Sequence, residues 1–193
     1  MREHYPLKGE WALILGASSG FGGACALELA RHGVNIFGVH FDRKSTMENV
    51  ERIVADIKAT GSQAFFFNVN AADEVRRKEV LSSIHHKLMR EKHAHASHLS
   101  HIRILIHSLA FGTLKRYVAD DPQEALTKAQ LEMTLDVMAN SLVYWTQDLL
   151  SRQLLGEGSH IYAMTSAGSS RVWPSYGAVS AAKAALESHI RQL

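Results

Sequence analysis

Residues 11–33 leave the chain little choice of architecture. WALIL (11–15) is a short continuous apolar run, the pattern of a strand covered on both faces. A glycine turn, GASSGFG (16–22), follows at once, and GACALELARHG (23–33) then repeats its apolar residues at helical spacing until Gly33 stops it. Strand, glycine turn and helix in that order is the context in which a glycine motif carries meaning. Gly16, Gly20 and Gly22 are spaced G-x-x-x-G-x-G. Glycines so placed permit a tight turn, close approach of backbone to a pyrophosphate, and close helix packing with the helix N-terminus facing the anion. Ser18 and Ser19 add hydroxyl donors, and Phe21 borders the same turn.

The β-α alternation continues to the end of the chain. VNIFGVHF (34–41) is the second strand, closing on Asp42-Arg43-Lys44. In a dinucleotide fold this point faces the adenosine ribose, where an acid favours a free 2′-hydroxyl and an arginine accommodates a 2′-phosphate. Basic charge prevails here, so NADPH is the expected cofactor, read through Arg43, with NADH still open. Ser45 to Glu48 reads as a capping box for a helix ending near Gly61. QAFFFNV (63–69) is the third strand, with Asn68 and Val69 placed to touch an adenine, and a helix over 71–90 follows. IRILIHSLAF (102–111) is the fourth strand running into a turn. Thr127-x-x-Gln130 then caps a long helix to about Leu154, so apolar that part of it is expected to meet a second subunit. SHIYAMTS (159–166) is the fifth strand.

This pattern predicts an α/β fold: a Rossmann-like, doubly wound parallel sheet with right-handed crossovers and helices on both faces. Ligands of such sheets bind beyond the carboxyl ends of the strands, where the strand order reverses. Gly16, Asn68, Ser108 and Ser166 all fall at such ends. Residues 1–193 are read as a single dinucleotide-binding domain. The pattern stops after one more helix, so C-terminal strands are expected to be missing, leaving one sheet edge exposed.

Bulk properties narrow the function classes. A net charge of +2 without a basic stripe argues against nucleic acid as a partner. The single cysteine, Cys25, cannot form an internal disulfide and suits a reducing cytosol. No apolar run approaches signal-peptide or membrane-spanning length, so no membrane partner is expected and the plain reading is cytoplasmic. HAHASHLSH (93–101) offers His93, His95, His98 and His101, but no carboxylate or cysteine joins them and the spacing matches no zinc pattern. The expectation is a solvated loop and no metal.

The chemistry concentrates in SAGSSRVWPSYGAVSAAKAALESH (166–189). Tyr176 and Lys183 are seven residues apart at a helix start; at about 100° per residue, seven steps return to within about 20° of the same face. A phenol and an ammonium sharing one cleft can protonate or stabilise a developing oxyanion.

Together these residues resemble the short-chain dehydrogenase/reductase family over nearly the whole chain. The marks are the glycine turn, the serine after strand five, and Tyr with Lys-Ala-Ala-Leu-Glu on the next helix. Most members space the last pair Tyr-x-x-x-Lys, but four residues before Lys183 stands Val179. The Tyr-x6-Lys spacing, and HSLAF (107–111) at the fourth-strand turn, are similar to the enoyl-acyl-carrier-protein reductases, and most similar to the NADPH-using type. Met138 occupies the place of the wider family's fourth-helix asparagine.

What the resemblance implies is reduction of the 2,3-double bond of an enoyl thioester, free or carrier-bound, in fatty-acid synthesis. Tyr176 would hydrogen-bond the thioester oxygen, Lys183 would hold the nicotinamide ribose, and Ser166 would add a polar contact. Gly16, Ser18, Ser19, Gly20, Phe21, Gly22, Arg43, Asn68, Val69, Ser108, Leu109, Ala110 and Lys183 would bind the cofactor. A homo-oligomer, dimer or tetramer, would form through the 128–154 and 176–193 helices. Two alternatives stay open: a carbonyl or 3-ketoacyl reductase, and a catalytically silent nucleotide-binding member.

Overall fold

The apolar runs expected to be strands all pair side by side. The structure is a computed structural model that describes residues 7–95 and 101–193. Five parallel strands form one sheet in the order β3-β2-β1-β4-β5: β1 Trp11–Leu15, β2 Asn35–His40, β3 Ala64–Asn68, β4 Ile104–His107 and β5 His160–Ala163. Six α-helices join or follow them: α1 Gly20–Arg31, α2 Met47–Ala59, α3 Glu74–His95, α4 Lys128–Leu135, α5 Ser141–Ser151 and α6 Gly177–Gln192.

Alternation along the strands builds a core on each face. Trp11, Leu13 and Leu15 of β1 join Phe37 and Val39 against α3, α5 and α6, through Leu81, Ile84, Leu142, Trp145 and Leu186. Ala12 and Ile14 face the other way, with Ile36, Ile104 and Ile106, onto α1 and α2 through Ala26, Ala30, Ile53 and Ile57. The chain steps outward from β1 to β3, then returns to lay β4 on the other side of β1. The strand order therefore reverses between β1 and β4, and their carboxyl ends part there.

Several boundaries differ from the sequence reading. The expected Ser45–Glu48 capping box is not formed: a 3-10 turn covers Lys44–Thr46, and Thr46 precedes α2 without a side-chain cap. Its hydroxyl donates instead to Asp42 Oδ1 at 2.8 Å. The helix expected to end at Arg90 runs on to His95, so the first histidines of the 93–101 stretch are helical rather than looped, while His98 lies outside the described residues. Among the described residues no group of three His, Cys, Asp or Glu side chains could hold a metal ion.

The Thr127–Gln130 box does form, with both reciprocal bonds present. The helix it opens is interrupted by a π-helical turn, Asp136–Asn140. Half of its apolar stripe is core, with Val137, Met138, Leu142, Trp145 and Leu149 buried within this chain, while Met133, Leu135, Val143 and Tyr144 are half-buried and Leu150 is exposed. Among the described residues no helix is long and apolar enough to cross a membrane.

Candidate active site

Two joined clefts open where β1 and β4 diverge. The first, about 270 Å³, is walled by the glycine turn, the end of β2, Val69–Ala71 and Ser108–Phe111. Gly16 has φ +90°, and a Cβ there would strike the Ser108 carbonyl oxygen. Gly22 has no room for a Cβ either, because the Gly16 carbonyl lies against it. The β1 and β4 turns thus touch through glycine alone, which brings the start of α1 to the cleft. Ser19, the N-cap of α1, makes no side-chain cap bond and no acid stands in the first turn, so the helix N-terminus keeps its attraction for an anion. Asn49 Nδ2 donates to the Ser18 carbonyl at 2.6 Å and fixes the turn.

At the end of β2 the wall is His40 and Phe41, not Arg43, which stands exposed beyond it. Asp42 is turned away to internal partners: its carboxylate accepts from His40 Nδ1 at 3.0 Å and from the Thr46 hydroxyl at 2.8 Å. Burial pulls the Asp42 carboxyl up, but the Ser18 and Thr46 hydroxyls and His40 outweigh it and hold the group below its ordinary range. Burial lowers His40, against the pull of Asp42. Asn68 does not line the cleft; its amide brackets Asp42, accepting from Asp42 N–H at 2.9 Å and donating to Asp42 C=O at 3.0 Å. Asn70 takes the place expected of it, next to Val69. His40 and Asn70 escaped the sequence reading because a polar residue at a strand end carries no spacing signal.

The second cleft shares Phe21, Ser108, Leu109 and Ala110 with the first and holds Ser166, Tyr176 and Lys183 together with Met138, Met164 and Val179. Tyr176 is the N-cap of α6 rather than a helical residue, yet it meets Lys183 in one cleft as the spacing predicted. Its hydroxyl lies 3.3 Å from Ser166 Oγ, which also accepts from Gly168 N–H at 3.1 Å. Gly168 is obligatory because the Tyr176 ring occupies the space a Cβ would need. Trp173 meets that ring edge-on at 5.3 Å.

Lys183 is 5% exposed, and its ammonium donates to the Met164 carbonyl at 2.7 Å and the Leu109 carbonyl at 3.1 Å. Burial lowers its pKa to about 8. An ammonium has three donors, so one remains for a ligand. Beneath it His107, at the end of β4, is fully buried, with its pKa lowered to about 3 by burial and then by the Lys183 charge. Its Nε2 is 2.9 Å from Ser141 Oγ, and that hydroxyl donates to the Val137 carbonyl at 2.7 Å. His107 is therefore neutral and donates from Nε2, leaving a buried Nδ1 without a partner. This chain ties β4 to the π-helical turn that carries Met138 to the cleft wall.

The first cleft is built to hold an extended anionic molecule by backbone; the second can polarise an oxygen with a phenol, a hydroxyl and a buried cation. Comparison with known proteins agrees. A family model described as enoyl-(acyl carrier protein) reductase matches residues 16–193. The short chain dehydrogenase/reductase nsrJ of Aspergillus novofumigatus is 28% identical over 189 residues, 97% of this chain and 63% of that protein. A 3-oxoacyl-[acyl-carrier-protein] reductase FabG of Staphylococcus aureus is 36% identical over 73 residues, 38% of this chain and 28% of that one. A short chain dehydrogenase from Burkholderia cenocepacia, solved in complex with NADP, superposes with a TM-score of 0.70 at 26% identity, covering 96% of this chain and 67% of the other. The chain spans about half to two thirds of the curated relatives that it matches along most of its own length, 63% of one and 51% of another.

Proposed function

The chain belongs to the short-chain dehydrogenase/reductase family, and from that premise we propose that it reduces the 2,3-double bond of an enoyl thioester with NADPH. A reduced nicotinamide dinucleotide, when bound, supplies the hydride. Gly16, Ser18, Ser19, Gly20 and Phe21 would hold its pyrophosphate at the start of α1, with Val69 and Asn70 along the adenine side and Ser108–Ala110 along the nicotinamide side. The fit rests on the glycine cradle, which any Cβ at Gly16 or Gly22 would fill. NADPH is favoured over NADH because Asp42, the acid that would read a free 2′-hydroxyl, already has internal donors.

One observation carries the reading. Tyr176, Ser166 and Lys183 line one cleft, while Val179 and Met138 fill the places where ordinary carbonyl reductases carry a tyrosine and an asparagine. As the β-carbon of the substrate gains a hydride, negative charge gathers on the thioester oxygen. The Tyr176 hydroxyl donates to that oxygen, a preorganised contact of a kind worth about 10² to 10³ in turnover. Ser166 orients the phenol, the remaining Lys183 N–H would hold the nicotinamide ribose, and the positive charge of Lys183 stabilises the developing anion near the phenol. The substrate is a small-molecule or carrier-bound acyl thioester in this reading, and the compartment the cytoplasm. A homo-oligomer would draw on the outer face of α4 and α5, where Leu150 is exposed and Leu135 and Val143 are half-buried.

The Ser166–Tyr176 contact also favours a second reading, ketone reduction, since two adjacent hydroxyls can grip one carbonyl. NADPH absorbance followed with crotonyl and, separately, acetoacetyl thioester decides between them. Oxidation with crotonyl thioester is expected; oxidation with the acetoacetyl substrate alone would overturn the proposal. Tight NADPH binding with turnover of neither would make the protein a silent nucleotide binder.

A further inference from the structure

Tyr176 also borders a further cavity, about 390 Å³, between the loop after β4 and the loop after β5. Its wall carries three cations, Lys115, Arg116 and Arg171, and no Asp or Glu. Neither arginine takes part in any ion pair of the described residues, and Lys115 makes a single hydrogen bond, to the Gln123 carbonyl at 3.2 Å. The acids nearest in sequence, Asp120, Asp121 and Glu124, stay outside it. The cavity is shaped by close packing: Ser175 is held at φ 61°, uncommon for a residue with a side chain, and the Tyr117 ring lies where a Cβ of Gly177 would go. Tyr117 and Trp173 give it aromatic walls.

Like charges gathered without a counter-ion repel one another, and such a cluster is stabilised by an anion, above all by a phosphate that arginines grip through two N–H groups. The sharing of Tyr176 is the informative part: it lines both this cavity and the cleft of Ser166 and Lys183, so a molecule held at Tyr176 borders the cationic wall as well. We propose that this cavity is a phosphate subsite for the phosphopantetheine arm of the acyl thioester, an inference that rests on the thioester reading above. The arm can come from coenzyme A or from a carrier protein, since both present the same phosphate.

Trp173 supplies the probe, because it is 44% exposed while Trp11 and Trp145 are buried at 1% and 0%. Titrating the protein with 4′-phosphopantetheine and with pantetheine should move Trp173 fluorescence, with the phosphorylated compound binding about tenfold tighter. The Arg116→Gln/Arg171→Gln double variant should erase that difference, and Arg116→Lys/Arg171→Lys should restore part of it. Equal binding of the two compounds to the unaltered protein would overturn the subsite. Kinetics separate it from the reading beneath: crotonyl pantetheine 4′-phosphate should show a KM about tenfold below that of crotonyl pantetheine. Turnover of both with equal KM would remove the subsite and leave the reductase. Turnover of neither, with the phosphate still preferred in binding, would remove the reductase and leave the subsite. In a final arm, the thioester source whose KM rises in the double variant, crotonyl-coenzyme A or crotonyl carrier protein, is the one the cavity serves; a rise for neither would overturn the proposal.

Discussion

Lys183 and His107 show how one buried charge sets the chemistry around it. Both lie in the same low-dielectric layer, and only one of them stays protonated at neutral pH. With its pKa lowered to about 8 by burial, Lys183 loses its charge within reach of ordinary assays. The pH profile of kcat/KM should therefore fall above about pH 8, and a profile flat to pH 10 would exclude the ammonium from the reaction. Replacing Tyr176 by Phe should lower turnover about 10²-fold while NADPH affinity, read by fluorescence titration, holds; full activity would remove the phenol from the mechanism. Lys183→Ala should weaken both. His107 makes a separate prediction about stability. Its folded pKa, about 3, lies below the unfolded value near 6.5, so the unfolded chain binds the extra proton between those values. The stability linked to neutral His107 is complete above about pH 6.5 and is lost as pH falls toward 3, by at most about 1.4 kcal/mol per pH unit. Urea unfolding followed by circular dichroism from pH 7 to 4 should show that slope, and His107→Gln should flatten it.

Among the elements, the glycine turn and the α4–α5 helix mark what the sequence makes legible and what it hides. WALIL and the Thr127–Gln130 box both form where they were read: the apolar run suits a strand paired on both edges, with β2 and β4, and the box finds both of its partners within four residues. The Ser45–Glu48 box has the same local form but fails, since a 3-10 turn over Lys44–Thr46 takes up Ser45 and moves the N-cap to Thr46, whose hydroxyl goes to Asp42 and Arg43. The π-helical turn is invisible in sequence: the apolar stripe runs on through Val137 and Met138, and the bonds that accompany the slip, His107 to Ser141 and His189 to Asn140, come from other elements. The cationic cavity joins 115–117 to 171–173, two loops that no periodicity connects. Glycine itself can be tested at this scale by separating space from backbone conformation. Gly22→Ala puts a methyl group against the Gly16 carbonyl, so it should destabilise by about 1–3 kcal/mol and abolish NADPH binding. Gly61→Ala meets nothing within 4 Å and only carries the strain of φ +90°, so it should cost about 1–2 kcal/mol and leave binding intact. Unfolding curves and cofactor titration on the two variants check both, and loss of binding in Gly61→Ala would show that the cradle is not the reason.

For the molecule as a whole, the clefts lie beyond the carboxyl ends of the strands, with one core on each face of the sheet behind them. The first cleft touches the ends of β1, β2 and β4 and the start of α1, elements drawn from both faces of the sheet. A ligand there ties the two layers together and should stabilise the whole fold rather than one loop. At a hundredfold excess over its Kd a cofactor adds about 2.7 kcal/mol, which for a chain of this size raises Tm by roughly 5–10 °C. Thermal unfolding with NADPH and with NADH at equal concentration then reads the preference without any substrate. NADPH should give the larger shift, because Asp42 is held by His40, Thr46 and the amide of Asn68 and has no reason to turn toward a ribose. Arg43→Ala should shrink the NADPH shift if that side chain swings in from its exposed position to meet the 2′-phosphate; an undiminished shift would assign the reading of that group to His40, already in the wall. A larger shift with NADH would mean that the Asp42 network opens on binding, and Asp42→Asn should then reverse the order of the two cofactors.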